Sequence, residues 1–536
     1  MGSRGRTPLT SRLRATLAAH AESERTGIPV DEVIEMHAAG LSRRKLLGGA
    51  AVVGAAAVAS AAGLPRPAAA AAAPTPPPSV TIVGAGLAGI RAAHWLYKVK
   101  GIRAAVYEGN SRIGGRCYSL RGFFDDGVVV EHGGAFINTD HNTIRSLANS
   151  LGLSLRTVNG GNQPPGGDKY WIDGAEYTYK DASADWRQVY QAFKAAQQAA
   201  PYPQRYDSYT AAGLALDNQT VNEWLDANMP GGLASRFAKL MQSDALAEYG
   251  LDPDQQSALN LIYLLGSNGP NSLSPIAGDD EKYTIVGGND QLLTAMVGQL
   301  PAGTVTLDRK LVAVKANANG SATCTFQAGN KYTDVTSDKV ILALPFTMLR
   351  ECDLSKAGFS TVKMRSINEF DLGSNAKLHV QFTSRPWVAQ GYGGSTYTNA
   401  TGFQCAWDDT VNQPTSTGVL CEFPGGSQTK AWTGAAFGAA PAAQVTALLN
   451  QLEPIYPGIT AAYNGKAYRD AWPLNPWSKG AYSAQKPGQY TRFFGIEAAR
   501  EGNVHFAGEH TSIDYFGYLN GAVESGERAA KEVAGP

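Results

Sequence analysis

The sequence predicts an α/β fold: a Rossmann-like domain assembled from separated segments, with an α+β domain carrying a mixed sheet inserted into it. Three observations carry that prediction. Residues 80–108 run strand, glycine turn, helix, strand, acid. Residues 160–280 turn helix-rich, and strand-like runs with alternating apolar residues follow from 305 onward. Residues 502–533 close the chain with a short apolar strand, a Gly-Glu turn and a helix, which suits a return to the first domain. With 536 residues and 43% hydrophobic content, the chain has enough apolar material for two cores.

Val80–Val83 is an apolar strand that opens directly after the proline-rich stretch 74–78. It leads into Gly84-Ala85-Gly86-Leu87-Ala88-Gly89, and Ile90 to Tyr97 carry helix-forming residues at apolar spacing. A second strand, Ala104–Tyr107, ends in Glu108. Gly84 permits the tight turn, Gly86 admits backbone N–H groups to a pyrophosphate, and Gly89 lets the helix pack closely on the sheet. The helix N-terminus supplies the partial positive charge that phosphates need. Glu108 stands where a carboxylate accepts hydrogen bonds from ribose hydroxyls. The segment predicts a bound dinucleotide, and the acid disfavours a 2′-phosphate, which leaves NAD or FAD. A second glycine turn follows, Gly114-Gly115, flanked by Arg112 and Arg116, whose guanidinium groups suit a pyrophosphate.

Bulk composition excludes several functions. Lys plus Arg equal Asp plus Glu at 46 each, so no basic excess exists for nucleic acid or an anionic membrane surface. The five cysteines, Cys117, Cys324, Cys352, Cys405 and Cys421, form no Cys-x-x-Cys pair and no Cys/His spacing typical of zinc, so no metal site is expected. Cys405 and Cys421 lie on two strand-like runs that could meet across a hairpin. Two buried thiols are the expected outcome and a disulfide the alternative.

The N-terminus reads as an address. Arg43-Arg44 precede a mildly apolar Ala/Gly/Val run from Gly48 to Ala62. Pro65 and Pro67 end it, and small residues between 68 and 73 offer cleavage sites. The pattern resembles a twin-arginine export signal over 1–73, with 74–78 as a stiff linker. The run is short and interrupted for a membrane span. That route moves folded proteins, so a cofactor is loaded before export, and scarce cysteine suits folding in a reducing cytoplasm. The expected partner is the export machinery, and the expected destination is the periplasm, cell envelope or medium.

The run Ser111-Arg112-Ile113-Gly114-Gly115-Arg116, directly after the acid, resembles the N-terminal signature of the flavin-containing amine oxidase superfamily, which includes monoamine, polyamine and L-amino acid oxidases. Two distant blocks extend the resemblance. Val128 to Ile137 carries Glu131-His132-Gly133-Gly134-Ala135-Phe136, and Asn503 to Ala522 carries Gly508-Glu509 and Gly517-Tyr518-Leu519. The resemblance implies FAD as cofactor. It assigns Gly84, Ala85, Gly86, Ala88, Gly89 and Glu108 to the nucleotide half. Gly115, Arg116, Gly508, Glu509 and Leu519 join them, and Gly133, Gly134, Ala135 and Phe136 lie toward the flavin ring. The backbone of Leu311 meets the adenine. The implied layout is FAD-binding segments at 79–158, 283–350 and 490–536, with substrate-domain segments at 159–282 and 351–489.

Three residues are singled out for the chemistry. Lys377 sits inside the alternating strand Ala376–Phe382, where a lysine either faces solvent or has a task. Its segment resembles the one whose lysine holds a water against flavin N5. Tyr482 and Tyr518 lie in segments resembling two that place facing tyrosines before the flavin, and such rings favour a partly cationic amine. Ala481 stands where covalently flavinylated monoamine oxidases carry a cysteine, so FAD is expected to be non-covalent. Ala135 to Asn138 lacks the arginine by which L-amino acid oxidases hold a substrate carboxylate. His132, His141 and His510 lie near these motifs and are expected to be structural. The implied reaction is oxidative deamination of a small-molecule amine, with O2 or a redox protein as acceptor. The alternatives are an L-amino acid oxidase releasing a 2-oxo acid, ammonia and H2O2, a flavin desaturase, or a non-catalytic flavin-binding protein. A homodimer stays open.

Overall fold

The computed structural model describes residues 77–158, 167–271, 273–274 and 280–535. The export reading of residues 1–73 lies outside them, as does most of the 74–78 linker. Among the described residues no helix is long and apolar enough to cross a membrane.

Strand β1 (Val80–Val83) is buried at every position, as a strand covered on both faces must be. Helix α1 (Leu87–Lys100) and strand β2 (Ala104–Tyr107) follow it. β1 pairs in parallel with β2 on one side, Val80 opposite Ala104, and with Lys339–Leu342 on the other, Val80 opposite Lys339. Val504–Phe506 continues the sheet beyond Lys339–Leu342, and Val305–Thr306 continues it beyond β2. Strands from opposite ends of the chain therefore share one parallel sheet, which is the discontinuous Rossmann-like assembly expected.

Val305–Thr306, the first of the strand-like runs from 305 onward, does not pair with the runs that follow it. These residues serve the open edge of β2, where the Val106 N–H bonds to Thr304 O at 2.8 Å and the Glu108 N–H to Thr306 O at 2.9 Å. The antiparallel meander itself is Lys310–Ala316, Ala322–Ala328 and Lys331–Ser337, with Asp353–Lys356 added in parallel. Within 128–137 the strand before the Gly133-Gly134 turn is short, Val130–Glu131. Beyond it the backbone leaves the strand to follow the 114–118 loop: the His132 N–H bonds to Tyr118 O and the Gly134 N–H to Arg116 O.

The second sheet has eight strands and is mixed, with Thr396–Thr398 and Lys169–Ile172 parallel and the other neighbours antiparallel. Ala376–Phe382 lies inside it, between Gly418–Glu422 and Tyr463–Ala471, and all seven of its residues are buried. Leu378, Val380 and Phe382 join an apolar core with Leu420 and Trp387. By the two-residue period of a strand, Lys377, His379 and Gln381 take the other face. A separate helical core surrounds Trp186, Phe193 and Tyr263. Ala258–Leu265 belongs to it, buried at every position, so this apolar run is core and forms no part of the cavity described below. Cys405 and Cys421 are free thiols; Cys421 stands opposite Trp407, two residues out of step with Cys405.

The C-terminal helix α2 (Leu519–Ala534) lies against α1 so closely that a Cβ on Gly526 would come within 2.2 Å of the Ala88 carbonyl oxygen. Gly526→Val is expected to force the helices apart and cost about 1–3 kcal/mol, lowering the thermal unfolding midpoint by several degrees. An unchanged midpoint would show that this contact does not set the packing of the two helices.

Candidate active site

A cavity starts at the glycine turn between β1 and α1 and ends against the mixed sheet. At its first end stand Gly84, Gly86, Ala88 and the Glu108 carboxylate. α1 begins at Gly86 with no side-chain cap and no acid in its first turn, so its N–H groups are left to an anion. Gly115, Arg112 and Arg116 line the next stretch, and Leu311 lines the wall beside the meander. Two residues assigned to the cofactor do not line this wall. The Ala85 N–H is taken by Glu108 Oε2 at 2.7 Å. Gly89 faces the sheet, where an added Cβ would meet Gly84 O at 1.9 Å; its task is packing.

Arg116 and Glu509 tie the cavity together. Arg116 Nη1 donates to Glu509 Oε1 at 2.7 Å and to Ala481 O at 2.8 Å. Glu509 Oε2 accepts from the Ser483 hydroxyl at 2.6 Å and from the Gly517 N–H at 2.5 Å. Burial pushes the Glu509 carboxyl up, but the Arg116 charge and these donors outweigh it, and its pKa ends below the ordinary value. The ion pair thus fixes Ala481 through Arg116, and Ser483 and Gly517 through Glu509, the neighbours of Tyr482 and Tyr518. Both tyrosines line the cavity, as do Gly508 and Leu519. The Tyr482 hydroxyl donates to Ala247 O at 3.1 Å, and burial raises its pKa well above normal.

Lys377 does not face solvent. It is 4% exposed, lines the cavity, and its Nζ donates to Glu131 O at 2.9 Å and Gly133 O at 2.7 Å. Gly133, Gly134, Ala135 and Phe136 line the same region. Trp407, whose ring lies 5.6 Å from the Lys377 Nζ, is a cavity wall that sequence reasoning missed; its strand drew attention for Cys405 instead. Tyr397, Phe423, Phe516, Glu248 and Glu281 also line this end. No sequence signal marked them, because helix ends, sheet pairing and separate loops bring them together.

The three histidines are held by their surroundings. His132 Nδ1 lies 2.6 Å from Asp470 Oδ1. The His141 ring meets Tyr515 and Tyr518 edge-on. Burial lowers His510 to about 3, so it is a neutral ring packed on Phe346. The structure also brings the donor atoms of His379, Asp409 and Cys421 within 4.8 Å of one another, a grouping that spacing in the sequence does not reveal. His379 Nδ1 there is already taken by Asp409.

A Rossmann-like sheet and a phosphate-ready glycine turn, opening on a buried lysine and two tyrosines, define a dinucleotide-dependent redox protein. The family of flavin-containing amine oxidoreductases matches residues 87–534, and the chain belongs to that family. It is an oxidoreductase with a flavin cofactor. A pseudooxynicotine dehydrogenase from Pseudomonas is 25% identical over 531 residues, covering 92% of this chain and 96% of that protein. An L-amino-acid oxidase from Siganus canaliculatus is 26% identical over 474 residues, covering 85% of each. The fold resembles cyclohexylamine oxidase from Brevibacterium oxydans with a TM-score of 0.73 at 22% identity, over 86% of this chain and 99% of that one. The residues present fit a flavin. The uncapped N-terminus of α1 suits phosphate, and the Gly133–Phe136 backbone, packed by its glycines against Arg116 O and Leu519, lines the cavity beside Lys377.

Burial pushes the Glu131 carboxyl up to about 8, against the Asn289 N–H and the Ser119 hydroxyl that donate to it. Its folded pKa lies above the unfolded one, so the folded protein binds the extra proton between them. Its contribution to stability is therefore fully present below the unfolded value and is lost as pH rises toward about 8. Glu131→Gln removes this slope. The unfolding midpoint of Glu131→Gln minus that of the wild type should become more positive as pH rises from about 5 to about 8. A constant difference would refute the raised pKa.

Proposed function

We propose that the chain binds FAD non-covalently and oxidises a small primary or secondary amine. The observation that carries this reading is the meeting of Lys377, Tyr482 and Tyr518 on the wall of a cavity that begins at the phosphate-ready turn. Glu108 takes the ribose hydroxyls, α1 and Arg112 take the pyrophosphate, and the Gly133–Phe136 step runs along the ring. When bound, FAD would supply the acceptor for a hydride from the carbon next to nitrogen and the path of both electrons to O2, with H2O2 as the product. Tyr482, Tyr518 and Phe136 frame the amine with aromatic faces and exclude bulk water. The nitrogen gives up a proton as the C–H bond breaks, and the released imine takes up water to yield a carbonyl compound and ammonia or a smaller amine. Lys377, its ammonium aimed by two carbonyls, orients a water at the cofactor edge.

The acidic lining supports an amine over a free amino acid. Glu248 and Glu281 line the end where a carboxylate would sit, and the nearby cation, Lys377, is engaged by Glu131 O and Gly133 O. Residues 135–138 offer no arginine. A peroxide assay over matched amines and L-amino acids tests this. Amines are expected to support turnover at least about tenfold better in kcat/KM; preference for amino acids with release of 2-oxo acids would reverse the assignment. Acid precipitation is expected to release all of the flavin. In Lys377→Met, amine-dependent flavin reduction or its reoxidation should slow by about tenfold or more; unchanged rates in both steps would remove the Lys377 role.

We also propose export by the twin-arginine route, supported by Arg43-Arg44, the apolar run after them and the cleavage-site pattern before Pro74. Replacing both arginines with lysine is expected to leave the flavin-loaded protein in the cytoplasm, read by cell fractionation. Undiminished export would refute the route.

A further inference from the structure

The strand face that carries Lys377 also carries His379, and His379 belongs to a buried chain of polar groups that the reaction above does not use. Asp409 Oδ1 accepts from the Trp407 indole N–H at 2.8 Å, and its Oδ2 lies 2.7 Å from His379 Nδ1. On the other side, His379 Nε2 lies 3.2 Å from Asp470 Oδ2, and Asp470 Oδ1 lies 2.6 Å from His132 Nδ1. His379 and Asp470 are fully buried, and His132 is 1% exposed.

The two ends of this chain land on the two sides of Lys377. At one end, Trp407 is the cavity wall near the ammonium. At the other, His132 stands between Glu131 and Gly133, the residues whose carbonyls hold Nζ. The His132 carbonyl accepts from the Trp472 indole N–H at 2.7 Å, and its ring stacks on Tyr118 at 4.2 Å. Asp470 therefore completes the clamp on His132, and with it the orientation of the 131–133 backbone.

His379 has a carboxylate oxygen near each ring nitrogen: Nδ1 is hydrogen-bonded to Asp409, and Nε2 faces Asp470 Oδ2 as an ion-pair contact without hydrogen-bond geometry. Burial opposes the charge on His379, but Cys421, Asp409 and Asp470 outweigh it and raise its pKa well above normal. Tyr468 and Phe124 face the same ring from their own segments, Lys377 and Gln381 share its strand face, and Arg156 faces Asp409. Apolar residues of similar volume would fill this space at no cost in stability. Charged groups here do what apolar ones do not: they fix direction.

We propose that the His132–Asp470–His379–Asp409 chain positions Lys377, with His379 as the hub that holds the Trp407 wall and the Glu131 and Gly133 carbonyls in register. His379 is thus a positioning residue for the oxidative reaction, and the proposal rests on the reading of Lys377 given above. Without the hub, the ammonium loses its single resting place at the cofactor edge.

The test uses the full FAD-loaded chain with His379→Gln, and with Asp409→Asn as a near-isosteric second variant should the first not fold. Two quantities are read. One is the emission of Trp407, taken as the difference between each protein and its Trp407→Phe counterpart. The other is the rate of the step that Lys377→Met slows. Each variant is expected to shift the Trp407 emission to the red and to slow that step roughly tenfold to a hundredfold at equal flavin content. Combined with Lys377→Met, each should slow it no further, because both act through one group. Unchanged Trp407 emission overturns the proposal, as does slowing that multiplies in the double variant. Wild-type rates in Lys377→Met remove the Lys377 reading and the proposal together, whereas a slow Lys377→Met beside a wild-type His379→Gln overturns the proposal alone.

Discussion

The ion pair between half-buried Arg116 and buried Glu509 is the constraint on which the cavity depends. Its members come from the two ends of the described chain; through Ala481 and Ser483 it fixes a third segment between them, and through Gly517 the loop that follows Glu509. Removing Arg116 leaves the buried Glu509 charge uncompensated, a loss of about 3–5 kcal/mol. The larger consequence is geometric. Tyr482 lies between two anchored residues and Tyr518 beside a third, so the pair sets the wall on which an amine would rest.

The mixed sheet meets this arrangement with one strand of divided character. Ala376–Phe382 is wholly buried, yet its two faces solve different problems. Leu378, Val380 and Phe382 supply area to an apolar core. Lys377 and His379 bring charge into the interior, where each must find partners or lose its charge. Lys377 finds two carbonyls, and His379 two carboxylates. The fold accepts the desolvation of both groups, and in return the cavity gains a cation with a defined direction.

Much of the nucleotide end was legible in the sequence because it is local. The turn after Val83, the acid at Glu108 and the arginines around Gly114-Gly115 lie within 37 residues, and each needs a particular residue for a reason that holds in any fold. The discontinuous sheet was legible because Val504–Phe506 and the helix after it are strongly patterned. Ala85 shows the limit of a motif, since its N–H satisfies Glu108, whereas Gly89 packs α1 on the sheet as its place in the turn implies. At the amine end, Lys377 announced itself as a charge in an apolar run. Trp407 did not, because an aromatic residue in a strand reads as core, and only sheet pairing shows which face it takes. Glu248 and Glu281 come from a helix end and a loop, and nothing local marks either as part of a wall.

One ion pair joins the floor beneath the glycine turns to the tyrosine wall. A double-mutant cycle with Arg116→Met and Glu509→Gln, read as the dissociation constant of FAD from the folded protein, tests it most directly. Each single change should weaken binding strongly, and the double variant should be no weaker than the worse single one, because both remove the same link. Losses that simply multiply would contradict the account: Arg116 and Glu509 would then serve the cofactor separately, and no shared knot would hold the site together.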